Sequence, residues 1–253
     1  MSEEATKTDP TIVLVHGAFA DASSWNGVAE LLLEQGHDVV APANPLRGIA
    51  ADSDYIASAV SQIDGPVLLV GHSYGGAVNT NAATGLAKVV GLVYVAAFAP
   101  DEGERLGEVE EGSKDSVLNT ALVPSQYPTG NGGETATEFA INPDLFQEAF
   151  AADLSAEKTA LMAATQRPVA ELAFSEPSGS PAWKTLPSWA VVGTGDKAAG
   201  ADITRSMAER AGADIVEVEG SHVIMISQPQ AVTDHILKAL GAVGARESKP
   251  VGA

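Results

Sequence analysis

The fold class is decided by the stretch Pro66-Val67-Leu68-Leu69-Val70-Gly71-His72-Ser73-Tyr74-Gly75. Its first half is a continuous apolar run that ends at a glycine, which is typical of a parallel strand buried on both faces. Its second half matches the pattern Gly-x-Ser-x-Gly and leads into a helix-like segment. In so tight a turn, side chains two residues before or after the serine would collide with backbone, and only glycine avoids this. The stretch therefore predicts a strand, a sharp turn that holds Ser73 out at the strand's end, and a helix.

The rest of the chain repeats this alternation of strand and helix. Segments with helical spacing separate apolar runs at residues 11–15, 38–41, 89–96, 189–192 and 214–218. The alternation predicts an α/β fold with a mostly parallel central sheet and helices on both faces. For the last helix, Gln228 is a candidate cap, Pro229 fits the first helical position and Gly241 is a candidate terminator. No phosphate-binding glycine pattern follows the first strand, so nucleotide binding is not expected.

The alternation breaks between Phe98 and Pro187, which predicts an insertion between two core strands. Its recognisable parts are an acidic segment at 101–111, a loop rich in Gly, Thr and Asn at 129–137, and two helices near 143–153 and 156–166.

These patterns predict the domain organisation. Residues 11–98 and 188–243 are expected to form the core, and residues 99–187, called the insertion below, are expected to form a cap (lid) over the strand ends. A separate small domain with no part in the site is the alternative. Residues 1–10 are predicted to be disordered and residues 244–253 to be a flexible tail.

Composition narrows the class of function. With 253 residues, 45% of them hydrophobic, the chain can form one core with an inserted subdomain. It has no cysteine, so disulfides, thiolate metal sites and cysteine nucleophiles are excluded. The formal net charge of −19 disfavours binding to nucleic acid or to anionic membranes, which leaves neutral small molecules as expected partners. No apolar run is long enough to cross a bilayer and residues 1–10 lack a signal-peptide core, so we expect a soluble, cytoplasmic protein.

A serine hydroxyl needs a base within hydrogen-bond reach to act as a nucleophile, and the chain offers five histidines. His222 follows the apolar run 214–218, at the end of a strand where α/β sites assemble. We therefore predict Ser73 as the nucleophile and His222 as the general base. The other histidines are expected to be structural or at the surface: His16 and His72 beside loops, His37 in a turn and His235 on the polar side of the last helix.

A carboxylate at another strand end should orient the base, and Asp196 in Val192-Gly193-Thr194-Gly195-Asp196 fits this position. Asp101, after the run 89–96, is the competing acid. The oxyanion of acyl transfer needs two N–H donors, and the N–H after the nucleophile, that of Tyr74, supplies one. Ala18, in the loop after the first strand, is the expected second donor, with Phe19 as the alternative.

With these residues assembled, the chain resembles the α/β-hydrolase superfamily. In particular it resembles the compact branch of plant methylesterases and hydroxynitrile lyases with their bacterial esterase relatives, and the resemblance covers most of the chain. The motifs that carry it are Val13-Leu14-Val15-His16-Gly17-Ala18 with Trp25 downstream, Gly71 to Gly76, Val93-Tyr94-Val95-Ala96-Ala97-Phe98-Ala99-Pro100-Asp101, and Gly220-Ser221-His222 before Met225.

The resemblance implies a pocket under the cap that takes a small apolar acyl or alcohol group. Hydroxynitrile lyases of this branch carry threonine or asparagine where this chain has Gly17, and often lysine where it has Val223, which favours ester hydrolysis. The family acid is usually followed by Ile-Pro, whereas Asp196 is followed by Lys197-Ala198-Ala199-Gly200, so the backbone there is expected to differ. Side chains that either line the pocket or belong to ordinary core are Phe19, Tyr74, Phe146, Met162, Trp183 and Met225.

The sequence thus predicts a serine carboxylesterase for small, mostly apolar esters, with no cofactor and no metal. Two alternatives stay open: a hydroxynitrile lyase-like or cofactor-free oxidative enzyme on the same fold, and a non-catalytic receptor for a small ligand. A homodimer is possible, since the sequence leaves the oligomeric state open.

Overall fold

A computed structural model describes the backbone of residues 9–247 and the side chains of residues 9–244. Residues 1–8 and 248–253, which hold most of the predicted disordered ends, lie outside the described residues. In chain order the strands are β1 (Thr11–Val15), β2 (Val39–Val40), β3 (Val67–His72), β4 (Val89–Val95), β5 (Leu122–Pro128), β6 (Thr135–Ile141), β7 (Val169–Ala170), β8 (Ser188–Gly193) and β9 (Asp214–Val218).

Within residues 9–247, six strands form the central sheet in the order β2-β1-β3-β4-β8-β9, and every neighbouring pair is parallel. The predicted parallel sheet is therefore confirmed. β1, β3 and β8 are buried along their whole length, because strands covered on both faces have no side that meets water. The carboxyl ends of β3, β8 and β9 lie along one edge, and the loops that follow them carry Ser73, Asp196 and His222.

The helices surround this sheet. α11 packs on β4 and β8 and against α1, while α3 packs on β3 and β4 and against α2. In chain order the helices are α1 (Asn26–Glu34), α2 (Ile49–Ser61), α3 (Tyr74–Ala82), α4 (Leu106–Glu111), α5 (Leu118–Ala121), α6 (Phe146–Phe150), α7 (Ala156–Thr165), α8 (Leu172–Ser175), α9 (Ala201–Arg210), α10 (Ile224–Ser227) and α11 (Pro229–Glu247). None of the described helices is long and apolar enough to span a membrane.

The insertion has more regular structure than its sequence predicts. β5 and β6 pair as an antiparallel hairpin, and β7 adds to β6. The predicted loop at 129–137 is the turn of this hairpin, but it is shorter than predicted because β6 begins at Thr135. α4 forms inside the predicted acidic segment, and the helix predicted near 143–153 is limited to α6. The hairpin escaped prediction because β5 carries two prolines and is mostly exposed, so it lacks the pattern of a buried strand.

The C-terminal helix also differs from its prediction. α11 begins at Pro229 as expected, but it continues past Gly241 to Glu247, so residues 244–247 are helical and the predicted flexible tail does not begin at 244. Gly241 does not end the helix, because a single glycine within a helix costs only about 1 kcal/mol. No close packing requires glycine at this position, since a Cβ there would meet open space. His235 is buried in α11, contrary to its predicted surface position, because its Nε2–H donates to the carbonyl of Asp214 at 2.9 Å.

Candidate active site

Ser73 lies in a strained turn between β3 and α3. Its backbone has φ 52° and ψ −124°, a conformation that costs an ordinary residue about 1–3 kcal/mol. The turn is tight because α3 packs directly on the end of β1: a Cβ at Gly75 would lie 2.4 Å from the carbonyl oxygen of Val15. The strand, turn and helix predicted from Gly-x-Ser-x-Gly are therefore present, and they hold the Ser73 hydroxyl at the sheet edge.

The loop after β1 approaches the same serine. A Cβ at Gly17 would lie 2.7 Å from the Cβ of Ser73, so only glycine permits this contact. His16 fixes the loop, because its Nδ1–H donates to the carbonyl of Gly17 and its Nε2 accepts the N–H of Asn44, both at 2.9 Å. Burial lowers the pKa of His16, consistent with a neutral ring that has the structural position expected for it.

His222 and Asp196 form a buried pair at the ends of β9 and β8. The His222 Nδ1–H donates to Asp196 Oδ2 at 2.8 Å, and the side chains are 1% and 0% exposed. Asp196 Oδ1 accepts the N–H groups of Ala198 and Ala199 at 2.9 and 3.1 Å, which fixes the carboxylate in the loop whose sequence departs from the family pattern. A carboxylate so placed holds the imidazole in one tautomer and leaves Nε2 free to accept a proton.

Asp101, the competing acid, is engaged elsewhere. Its carboxylate bonds to Lys184 Nζ at 2.5 Å on a half-exposed part of the surface. The hydrogen bond from Lys184 lowers the pKa of Asp101. The geometry therefore pairs His222 with Asp196 and not with Asp101.

Other groups position the loop that carries His222. The Nε2–H of His72 donates to the carbonyl of His222 at 2.9 Å, and burial holds the pKa of His72 well below its ordinary value, so the ring is neutral. Two residues of the insertion contact this loop. Asp153 accepts both the N–H and the hydroxyl of Ser221, and the ring centroid of Phe150 lies 5.0 Å from that of the His222 imidazole. The insertion therefore helps to fix the base.

Ser73 and His222 line one small cavity, although the described residues show no hydrogen bond between them. In unliganded enzymes such contacts are often long and tighten when substrate binds. The cavity brings the predicted nucleophile and base together with the predicted oxyanion donors, and part of its wall comes from the insertion. Its lining residues are Ala18, Phe19, Ser73, Tyr74, Phe98, Glu110, Leu118, Phe150, Phe174, Ala199 and His222.

The predicted pocket residues separate into two groups. Phe19 lines the cavity, with its ring centroid 6.1 Å from that of Phe150 and 6.5 Å from that of Phe174, and Tyr74 also lines it. Met162 lines a second pocket, called the outer pocket below, together with Leu161 and Thr165. Phe19 lines both the outer pocket and the cavity.

Phe146, Trp183 and Met225 are corrections to the prediction, because the structure does not bring them to the cavity. The ring of Phe146 packs behind Phe150 at 5.1 Å, and Met225 is fully buried in the core. The Trp183 indole N–H donates to the carbonyl of Pro100 at 3.0 Å.

Several residues of the site were not predicted. Phe150, Phe174, Leu118 and Glu110 come from the insertion, and no local pattern in the sequence marks them. Phe98 lies in the loop after β4, which ends at Val95, so its position beyond a strand end was a usable signal. Glu110 is the least expected, since it is a carboxyl group only 4% exposed, and burial raises its pKa to about 7. Across the described part of the chain, no cluster of three or more His, Asp or Glu is placed to hold a metal ion.

Comparison with known proteins finds related enzymes. A carbendazim hydrolyzing esterase from Nocardioides sp. (strain SG-4G) is 34% identical over 107 residues, which are 37% of this chain and 44% of that protein. Norfluorocurarine synthase 2 from Strychnos sp. is 29% identical over 90% of this chain and 94% of its own length. Among solved structures, polyneuridine aldehyde esterase superposes with a TM-score of 0.76 at 24% identity, covering 91% of this chain and 99% of its own.

These relatives include esterases, in agreement with the class of enzyme that the sequence predicted. The predicted fold class is confirmed, and so is the resemblance to the α/β-hydrolase superfamily. Residues 12–235 match the model of the alpha/beta hydrolase family, and the chain therefore belongs to that family.

Proposed function

We propose that this protein is a serine carboxylesterase that hydrolyses small, mostly apolar esters through an acyl-enzyme on Ser73. The observation that carries the proposal is the strained Ser73 turn facing the same cavity as the buried His222–Asp196 pair. A strained backbone and a buried polar pair both cost stability, and strained backbone concentrates at reaction sites.

In the proposed reaction, the Ser73 hydroxyl attacks the ester carbonyl while His222 Nε2 takes its proton. The imidazolium that forms is stabilised by Asp196, and it then gives the proton to the leaving alcohol. A water molecule then attacks the acyl-enzyme while His222 takes its proton. The carboxylic acid leaves as His222 returns the proton to Ser73. The hydrogen bond from His222 Nδ1 to Asp196 at 2.8 Å supports these roles.

The negative charge of the tetrahedral intermediate needs donors that are in place before the reaction. Tyr74 opens α3, and N–H groups in the first turn of a helix have no partner within the helix. We propose the N–H groups of Tyr74 and Ala18 as the oxyanion hole, because both residues line the cavity beside Ser73.

The lining supports an apolar substrate. Phenylalanine and aliphatic side chains form most of the wall, and the net charge of −19 disfavours anionic esters. We propose the insertion as the cap of this pocket, because Leu118, Phe150 and Phe174 contribute to its wall. The esterases among the relatives agree with ester hydrolysis in general.

An ester panel tests the proposal, with acyl and alcohol parts varied independently, on the wild type and on Ser73→Ala. We expect Ser73→Ala to lose at least about 10⁴-fold in kcat, because the nucleophile is absent. Mass spectrometry with a slow substrate should show an acyl adduct on the wild type alone.

Equal turnover by the two proteins would overturn the proposal. Cyanohydrin cleavage without ester turnover would indicate a lyase on the same fold, and tight ligand binding with no turnover would indicate a receptor.

A further inference from the structure

Glu110 is a buried carboxyl group beside the proposed nucleophile that the proposed mechanism does not use. It lies in α4 of the insertion and lines the same cavity as Ser73 and His222. Its Oε1 is 3.2 Å from the hydroxyl of Ser116. A buried carboxyl group needs a hydrogen-bond partner, and the identity of that partner determines the protonation state it can hold.

The hydrogen bonds of Ser116 indicate the protonation state of Glu110. Ser116 Oγ lies 2.6 Å from the carbonyl oxygen of Ala198 and 3.2 Å from Glu110 Oε1. A hydroxyl has one proton, and a backbone carbonyl can only accept, so the shorter contact uses the proton of Ser116. The contact to Glu110 is then a hydrogen bond only if Glu110 is the donor. Ser116 Oγ also accepts the N–H of Leu118 at 3.3 Å, which leaves one lone pair for a proton from Glu110. The short contact to Ala198 therefore favours Glu110 as the neutral acid.

The charges around Glu110 favour the same state. Burial raises its pKa most, and nearby Asp196 and Glu111 raise it further, to about 7 even if Ser116 were to donate to the ionised carboxylate. The other charged or titratable groups that line the cavity, or the pocket on its outer side, with Glu110 are Tyr74, His222, Arg105, Glu108 and Glu171.

The hydrogen bonds continue from Ser116 to the loop that holds Asp196. Ala198 accepts from Ser116 through its carbonyl, and its own N–H donates to Asp196 Oδ1 at 2.9 Å. Beside it, the N–H of Val117 donates to the carbonyl of Lys197 at 2.8 Å. The insertion is thus bonded to the residues that directly follow Asp196.

We propose that Glu110 is a positioning residue for Asp196, acting as a neutral acid that donates to Ser116 and through it fixes Ala198 and the Asp196 carboxylate. The inference rests on the proposed function, in which Asp196 orients His222. When Glu110 ionises it can no longer donate, so Ser116 must turn its proton away from Ala198 or leave a buried charge unpaired near Asp196. Either change loosens the Asp196 loop, and catalytic efficiency falls as pH rises.

The test is the pH profile of kcat/KM for a neutral aryl ester. We expect the kcat/KM of the wild type to fall as pH rises through an apparent pKa of about 7. The fall should be about tenfold, which is the effect of losing one hydrogen bond. Glu110→Gln should keep its efficiency at alkaline pH, because its amide donates to Ser116 at every pH. The kcat/KM of Ser116→Ala should be lower at every pH and show no alkaline fall. Glu111→Gln, an exposed neighbour on α4, should keep the fall but at a slightly lower pH, because it removes one charge that raises the pKa of Glu110.

Thermal unfolding supplies a readout that does not depend on turnover. Because the folded pKa is raised, ionisation of Glu110 destabilises the folded state as pH rises from about 5 to about 8. The Tm of Glu110→Gln should therefore rise relative to the wild type over that range.

The outcomes separate the two proposals. Ser73-dependent turnover with the same alkaline fall in Glu110→Gln, or a Tm difference that does not change with pH, would overturn the role of Glu110. Ester turnover that does not depend on Ser73 would overturn the proposed function instead.

Discussion

The core and the insertion contribute to the site in different ways. The core supplies Ser73, Asp196 and His222 at the ends of three parallel strands, so their positions follow from the topology of one sheet. The insertion supplies Phe150, Glu110 and other side chains that reach the cavity through helix and hairpin packing. In the proposed function, the core therefore supplies the reacting groups, whereas the insertion supports them and forms part of the cavity wall.

Substitution of the two candidate acids, Asp196 in the core and Asp101 in the insertion, should give the largest difference between the two regions. Asp196→Asn should lower kcat/KM for a short ester by about 10³–10⁴-fold, because an asparagine cannot stabilise the imidazolium. Asp101→Asn, at the start of the insertion, removes a partly exposed bond to Lys184 and should leave the rate within about twofold. Steady-state kinetics on both variants measures the contrast. A larger loss in Asp101→Asn would contradict the geometry.

Two glycines, one in the core and one in the insertion, test how tightly each region is packed. A Cβ at Gly75 would lie 2.4 Å from the Val15 carbonyl, so Gly75→Ala should destabilise the fold by about 2–3 kcal/mol and lose most activity. Gly130, in the insertion hairpin, has φ 86° but open space around it, so Gly130→Ala should cost only about 1 kcal/mol and keep its activity. Denaturant unfolding and ester assays at one temperature give both numbers.

Wild-type stability in Gly75→Ala would mean that α3 can move away from β1. The tight turn would then not be what holds Ser73.

Asp153 links the two regions, since it accepts the N–H and hydroxyl of Ser221 beside the base. Burial raises its pKa, but the hydrogen bonds, chiefly from Ser221, outweigh burial and leave the pKa below its ordinary value. Asp153→Asn should cost about 1.5–3 kcal/mol at neutral pH, as expected for hydrogen bonds to a charged group. Because the folded pKa is depressed, the stabilisation is present at neutral pH and is lost as pH falls through that folded pKa.

Unfolding curves at neutral and acid pH test this, with exposed Asp144→Asn as the control within the insertion. The gap between wild type and Asp153→Asn should shrink in acid. A gap that is constant with pH would mean that the loss comes from shape and not from the charge on Asp153.

Sequence reasoning succeeded in the core because the relevant signals there are local. The run before Gly71 is apolar because β3 is buried on both faces, and the glycines beside Ser73 mark a close approach of backbone. His222 and Asp196 could be proposed because parallel strands place their carboxyl ends along one edge.

The insertion was less predictable for a physical reason. β5 is an exposed strand with prolines, and its stability comes from pairing with β6 and not from a buried face. Glu110 and Phe174 reach the cavity only through contacts between segments that are distant along the chain. His235 was misplaced because its carbonyl partner lies on β9.

The smallest expected effect concerns the outer pocket. Met162 of α7 lines this pocket beside Phe19, which also lines the cavity, so a long acyl group that passes Phe19 would contact Met162. Met162→Ala should change the ratio of kcat/KM for long and short acyl esters by about threefold, since the methionine is only partly buried and its removal leaves Ser73 untouched. Leu172→Ala, an exposed position in α8, should leave the ratio unchanged. An equal loss for both esters in Met162→Ala would show instead that this part of the insertion supports the catalytic groups and does not select among substrates.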